Sequence, residues 1–307
     1  MTCSFLHSGD RTMASYRYRA LRPADAIGAA LNDSTADVLI FAKPCPADVA
    51  RLQQANHEGR RTIVDVCDIH WHAPSQGWMR TMLHEATAVT ANTDYTAQLL
   101  QEDLGRQATV IPDPYGTEAQ PAHCTGAKLL WFGHPSNVSS INRLLSLGEL
   151  FPLTIVTDAA KVDGPQTVRL VPWSEEALRQ ELALADIVLM PETAPHKSAN
   201  RTLEAIQAGC YVVAEPHPSL RSFPDLPLGN IRKGIVWAQE HLPEANARTT
   251  RLQQYVQAQY SLERVGNAWK SLVQGCTSTS APARSRGLAG SMSMPTGARV
   301  LPMCVPT

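Results

Sequence analysis

The sequence predicts an α/β protein built on two parallel sheets. Short, nearly continuous apolar runs bounded by turn residues recur along most of the chain, and segments of helical periodicity lie between them. Parallel strands are buried on both faces and read as unbroken apolar runs, whereas half-exposed antiparallel strands alternate. Strands separated by helices pair in parallel. A third observation divides the chain: residues 115–126, a Gly/Pro/Ala/Thr stretch with little periodicity, separate two series of five runs.

The first series comprises residues 3–7, 38–42, 62–67, 88–91 and 109–112, with helical patterns over 47–57 and 93–103. The second comprises 128–133, 153–157, 168–171, 186–191 and 211–214, with helices over 137–150, 175–185 and 202–208. Beyond residue 214 the pattern is helical, over 233–241, 246–260 and 261–273, the last with Ser261 as N-cap. The expected organisation is therefore two Rossmann-like domains, 1–114 and 127–260, joined by a linker at 115–126. A terminal helix at 261–275 follows, and then a tail, 276–307, without an acidic residue or a period, expected to be disordered.

Length and charge agree with this plan. At about 100–200 residues per domain, a chain of 307 residues suits two cores. Its 27 Lys+Arg against 28 Asp+Glu exclude a broadly basic nucleic-acid binder, so no nucleic-acid partner is expected. The longest apolar stretches fall far short of the ~20 residues that span a bilayer. Residues 1–10 show no charged start followed by a long apolar core, which reads as cytoplasmic. The seven cysteines are never two or three residues apart, which excludes a zinc knuckle, a CxxC pair and a dense disulfide scaffold. Cys67 and Cys210, in or beside apolar runs, read as buried thiols.

Ligands in open parallel sheets bind beyond the carboxyl ends of the strands. The loop after the first run has a single glycine, which disfavours a dinucleotide-binding dehydrogenase. Its Arg17 and Arg19 either meet an anion in the cleft or form a solvated basic face. After the third run, Asp68 and His70 would project into the crevice. A metal on Asp68, His70 and His72 lacks a fourth ligand, so a polar lining for a substrate hydroxyl is favoured. Gly133, after the sixth run, would let a ligand approach the backbone near a helix N-terminus, or serve an ordinary strand–helix loop.

The loop after residue 190 carries the most information. Ser198 is placed as the N-cap of a helix on which Lys197, Arg201 and Glu204 share a face. Cations beside free helix N–H groups suit a diphosphate. A carboxylate one turn further in suits a vicinal diol. The alternative is a surface salt-bridge face.

Lys197-Ser198-Ala199-Asn200-Arg201, Leu203-Glu204-Ala205 and Ala208-Gly209-Cys210-Tyr211-Val212-Val213-Ala214 resemble the donor-site helix of GT-B glycosyltransferases related to family 4. That family carries Glu, seven residues, Glu, and then a "PVVA" strand. Glu204 falls on the second Glu, which the resemblance assigns to the nucleotide ribose. The first Glu falls on His196, so the family's contact to the donor sugar does not carry over.

The resemblance implies a GT-B architecture whose terminal helix crosses back onto the first domain. It also implies a nucleotide-sugar donor (UDP-, GDP- or similar), no permanently bound cofactor and no metal. The acceptor is expected in the first domain and would be a glycan, lipid-linked or other, with peripheral membrane contact left open. The expected donor contacts are Gly133, Lys197, Ser198, Asn200, Arg201 and Glu204. Catalytic roles fall to Asp68, His70 and His196, with Asp68 or His70 as the base if the enzyme inverts. A non-catalytic GT-B-like protein that binds a nucleotide or a partner is the alternative, and a sugar-nucleotide epimerase a third reading.

Overall fold

The apolar runs become the strands of two parallel sheets in a computed structural model that describes residues 1–9, 11, 13–72, 76–158 and 165–278. The first sheet contains β1 (Cys3–Leu6), β2 (Ala30–Leu31), β3 (Val38–Ala42), β4 (Arg61–Val66), β5 (Ala88–Ala91) and β6 (Thr109–Val110), in the order β2-β1-β3-β4-β5-β6. The second contains β7 (Leu129–Phe132), β8 (Leu153–Val156), β9 (Val168–Val171), β10 (Ile187–Met190) and β11 (Tyr211–Ala214), in the order β11-β10-β7-β8-β9. Every residue of β3, β7, β10 and β11 is buried, as an unbroken apolar run requires. The two-residue β2 is the strand that the sequence reading does not contain.

Each sheet is covered on both faces, and the strands' period of two divides the side chains between them. Leu39 and Phe41 pack with Leu52 of α2 (Asp48–His57) and with Met79, Met82 and Leu83 of α3 (Gly77–Glu85). Val38 and Ile40 face the other way, towards Ala24 of α1 (Arg22–Ile27) and Trp269 of α10 (Leu262–Ser278). In the second sheet Val188 and Val212 meet Leu203 and Ile206 of α7 (Asn200–Gln207). Ile187 and Tyr211 meet Ile231 and Ile235 of α8 (Ile231–Glu240).

The terminal helix crosses back as expected. Ser261 Oγ accepts the Arg264 amide at 3.2 Å and caps α10. Val265, Trp269 and Val273, four residues apart, then enter the first domain's core, where Trp269 meets Phe5 edge-on at 5.1 Å. The helix continues to Ser278, so the tail cannot begin at 276; Cys276 is buried in that core, and 279–307 lie outside the described residues.

Three local expectations are corrected. The helix expected over 137–150 breaks into α5 (Val138–Asn142) and a 3₁₀ segment, Leu145–Glu149. Gly148 lies so close to Val168 that an added Cβ would stand 2.6 Å from its Cγ2, and the tighter coil gives this approach. The loop containing Arg17 and Arg19 winds into a π-helical turn, Tyr16–Leu21, which leads into α1. Helix α3, whose apolar residues recur at helical spacing, is absent from the sequence reading.

Between the sheets, residues 115–126 contain no helix or strand, yet they are tied down. The Tyr115 amide donates to the Tyr260 carbonyl at 3.2 Å, where α9 (Leu242–Tyr260) gives way to α10. Further on, the Gln120 amide donates to the Gln207 carbonyl at 2.8 Å, and Gln253 Nε2 to the Gln120 carbonyl at 2.7 Å. Gly209 (φ +85°) turns α7 into β11 where a Cβ would stand 2.3 Å from the Pro121 carbonyl oxygen. Only glycine fits there. Among the described residues, no helix is long and apolar enough to cross a membrane.

Candidate functional site

A cleft of about 490 Å³ opens where the carboxyl ends of β1, β3 and β4 face the start of α7 and the loop after β7. Arg17, Arg19, Asp68, Gly133, Lys197, Ser198, Asn200, Arg201 and Glu204 all line it. His70 and His196 stand just outside, their Nε2 atoms 3.8 and 3.7 Å from Asp68.

Glu204, one turn into α7, is 5% exposed. Its Oε1 accepts the Tyr18 hydroxyl at 2.5 Å and the Gly116 amide at 2.9 Å, and its Oε2 accepts the Thr117 hydroxyl. Arg22 Nη1 lies 3.6 Å away. The candidate diol acceptor is thus held by hydroxyl and N–H donors of the chain itself. A vicinal diol presents the same kind of donor as Tyr18 and Thr117, so it would exchange with them.

Arg201 lies three residues before Glu204, on the same side of α7. It donates to the Phe132 carbonyl at 3.1 Å and lies 5.7 Å from the centre of the Trp131 ring. Burial lowers its pKa to about 10, so it stays charged at neutral pH. Among the described residues, no carboxylate is within ion-pair reach of it. Gly133 makes room: an added Cβ would stand 3.1 Å from the Trp131 ring and 3.2 Å from Arg201 Nη1.

Asp68 gathers basic groups at the first domain's edge of the cleft. Lys197 Nζ donates to it at 2.8 Å across the domain boundary, and Lys43 Nζ lies at 3.6 Å. Burial opposes the Asp68 charge, but the His196 contact, Lys197 and Lys43 outweigh it and hold the carboxyl well below its usual range. A carboxylate so stabilised is a weak base. His70 differs: burial outweighs the attraction of Asp68 and lowers its pKa, so the ring is neutral at neutral pH and keeps a lone pair. His196 Nδ1 is buried without a partner among the described residues. His72 turns away to Asp103 at 2.6 Å, and no group of three metal-ligating side chains occurs among the described residues.

Two placements correct the sequence reading. Arg19 is neither an open cleft cation nor part of a solvated face, being 1% exposed. It binds Asp65 through Nε at 2.9 Å and Nη2 at 2.5 Å, Asp113 at 3.1 Å and the Ile111 carbonyl at 2.7 Å. Burial disfavours its charge, but the two aspartates prevail and raise its pKa. Arg17 is held by Glu175 at 3.1 Å and lies over the Trp173 ring at 5.0 Å.

Ser198 is the second correction, since it is not an N-cap. Helix α7 begins at Asn200, and Ser198 Oγ donates instead to Asp113 at 2.5 Å, joining the domains. Asn200 turns its Oδ1 to the Arg201 amide at 2.7 Å. Tyr18, Arg22, Lys43 and Asp113 are the site residues that sequence reasoning missed. Asp113, just past the end of a strand, carried a positional signal. Tyr18 gave none, because the π-helical turn decides which of its neighbours faces inward.

Two parallel sheets that face each other across a cleft, with the last helix returned to the first domain, define the GT-B glycosyltransferase architecture, and the chain has that fold. Anabaena HepE in complex with UDP-glucose superposes with a TM-score of 0.69 and 13% identity, over 89% of this chain and 100% of that one. A glycosyltransferase from Rickettsia africae gives 0.62 and 11%, over 91% and 99%. WaaG, a glycosyltransferase involved in lipopolysaccharide biosynthesis, gives 0.57 and 13%, over 89% and 100%. At such identities the likeness is one of fold. No protein-family model matches the chain, and no curated protein matches it in sequence.

Proposed function

We propose that the protein is a glycosyltransferase that moves a sugar from a nucleotide-sugar donor to a glycan or related acceptor. One observation carries the reading: a charged arginine without a carboxylate partner among the described residues and a buried carboxylate lie three residues apart on α7, facing one cleft. Arg201 and the start of α7 suit a diphosphate, and Glu204 suits the ribose diol beside it. Lys43 and Lys197 share the single carboxylate of Asp68, which leaves this part of the cleft with excess positive charge for the same anion. The fold supports the reading, and HepE, solved with UDP-glucose and with UDP and glucose, makes UDP the first nucleotide to try.

In this mechanism the chain positions and stabilises charge. Arg201 and Lys197 would offset the charge that develops on the departing diphosphate, with side-chain cations in the role a metal fills elsewhere. If the reaction inverts, His70 is the better base, because Asp68 is held too firmly ionised to take a proton. His196, where the resembling family has Glu, sets the one observation that favours binding without turnover. Incubation with UDP-, GDP- and ADP-sugars, with release of nucleoside diphosphate as readout, separates these readings. Release that is lost in Arg201→Ala supports the transferase. UDP binding without release from any donor supports the binding protein, and binding of none of the three nucleotides refutes both.

A further inference from the structure

The interdomain space holds a second cavity, of about 630 Å³. It lies between the carboxyl ends of β5 and β6 and the turn from α9 to α10. Leu203 of α7 and Ala199 just before it line the cavity, on a different face from that of Arg201 and Glu204. The two cavities share Asn92, Asp113 and Ser198 as a common wall.

That wall carries an acceptor that has no donor at all among the described residues. Asp113 already accepts Arg19 on Oδ1 and Ser198 on Oδ2. Asn92, which follows β5, is 5% exposed, and its Oδ1 is buried without a donor among the described residues. A buried polar atom left unpaired is costly, and a ligand hydroxyl would satisfy it. Two tyrosines, Tyr255 and Tyr260, line the opposite side, grouped with Phe223 at ring separations of 5.4 and 5.5 Å. Rings of this kind give an apolar face and a polar edge, which suits a sugar ring. At the mouth stand Arg221 and Arg264, both exposed and neither in an ion pair with a carboxylate among the described residues. A guanidinium group matches the oxygens of a phosphate.

We infer that this second cavity is the acceptor site, and that the acceptor is a sugar bearing a phosphate. The ring lies against Tyr255 and Tyr260, the phosphate meets Arg221 and Arg264, and a hydroxyl donates to Asn92 Oδ1 at the wall shared with the donor cleft. The inference rests on the reading of the first cleft as the nucleotide-sugar site.

The test is calorimetric titration of the full chain, saturated with UDP, with glucose 6-phosphate, glucose 1-phosphate, glucose and inorganic phosphate. At least one phosphosugar should bind more tightly than glucose or phosphate. The double variant Arg221→Glu/Arg264→Glu should weaken it by at least ~10-fold, the loss expected when charged hydrogen-bond partners are removed. Both arginines are exposed, so the variant should keep its melting temperature and its UDP affinity. Asn92→Ala should weaken the phosphosugar, since the acceptor of its hydroxyl is lost. The inference is overturned if neither phosphosugar binds, if glucose binds equally well, or if the double variant binds normally. Loss of phosphosugar binding in Arg201→Ala alone would place the ligand in the first cleft and also overturn it. Failure of UDP to bind, with phosphosugar binding still lost in the double variant, would refute the donor reading and leave this site standing.

Discussion

Replacing Glu204 with Gln tests the centre of the proposed donor site, because the carboxylate serves both the apo fold and the proposed ligand. A carboxylate offers about four lone-pair positions, and Tyr18, Gly116 and Thr117 occupy three. In Glu204→Gln an amide oxygen in the place of Oε1 can keep both Gly116 and Tyr18, while the Thr117 hydroxyl rotates to suit the amide nitrogen in the place of Oε2. The bonds survive as neutral ones, at a loss of roughly 1 kcal/mol each, so stability should fall by about 2–3 kcal/mol without unfolding. UDP affinity should fall about 10- to 100-fold, the cost of one lost charge-assisted partner. Tyr18→Phe should act in the opposite direction on binding. It removes the donor with which the ribose must exchange, so UDP should bind up to about ten-fold more tightly although the apo protein is less stable. Calorimetric titration and thermal melts on the two variants measure both quantities. Wild-type UDP affinity in Glu204→Gln would falsify the ribose assignment, as would equal weakening in both variants.

Four further outcomes follow from the geometry. Arg201→Ala should lower kcat by at least ~10-fold, more than it raises the donor KM, because the charge it meets grows as the leaving group departs; steady-state kinetics with an active donor checks this. Trp269→Ala should cost about 3–5 kcal/mol and lower the thermal midpoint by roughly 10 °C, because the side chain is fully buried against Phe5. In pH-dependent melts, the Asp68 network should stabilise fully above the ordinary aspartate pKa of 3.8 and weaken as pH falls towards the depressed folded value. Asp68→Asn should lack that acid-range loss. If His70 is the base, kcat/KM should be flat near neutrality and fall only below its ordinary 6.5, and His70→Gln should lack that limb.

Much of the fold was legible because the strands read as short, nearly continuous apolar runs bounded by turn residues. The runs that became β3, β5, β9 and β11 need no correction at either end. Helix α7 was legible from its spacing, with Leu203 and Ile206 on the sheet and Arg201 and Glu204 off it. Sequence spacing failed where long-range contacts decide. Arg19 read either as a cation meeting an anion in the cleft or as part of a solvated face, and only folding brings Asp65 and Asp113, from the ends of two distant strands, to enclose it. Ser198 has the composition of an N-cap, but Asp113 of the other domain claims its hydroxyl. Glu204 was placed at the cleft, yet periodicity could not show that Tyr18, 186 residues away, already held it.

The bond between the Tyr115 amide and the Tyr260 carbonyl has a mechanical consequence. The chain passes between the domains twice, once outward at the linker and once back at the start of α10, and this bond brings the two crossings side by side. Beyond the first crossing the linker is fastened to the second domain through Gln120 and the Pro121–Gly209 approach, so it cannot act as a loose tether. Any opening of the cleft must therefore be a rotation about one narrow pivot. Asp113, two residues before Tyr115, bonds Ser198 close to that pivot, while Lys197, the residue before Ser198, holds Asp68 across the cleft. The partly exposed ion pair can release while the hydroxyl bond beside the pivot persists, which lets ligands exchange without the domains losing register.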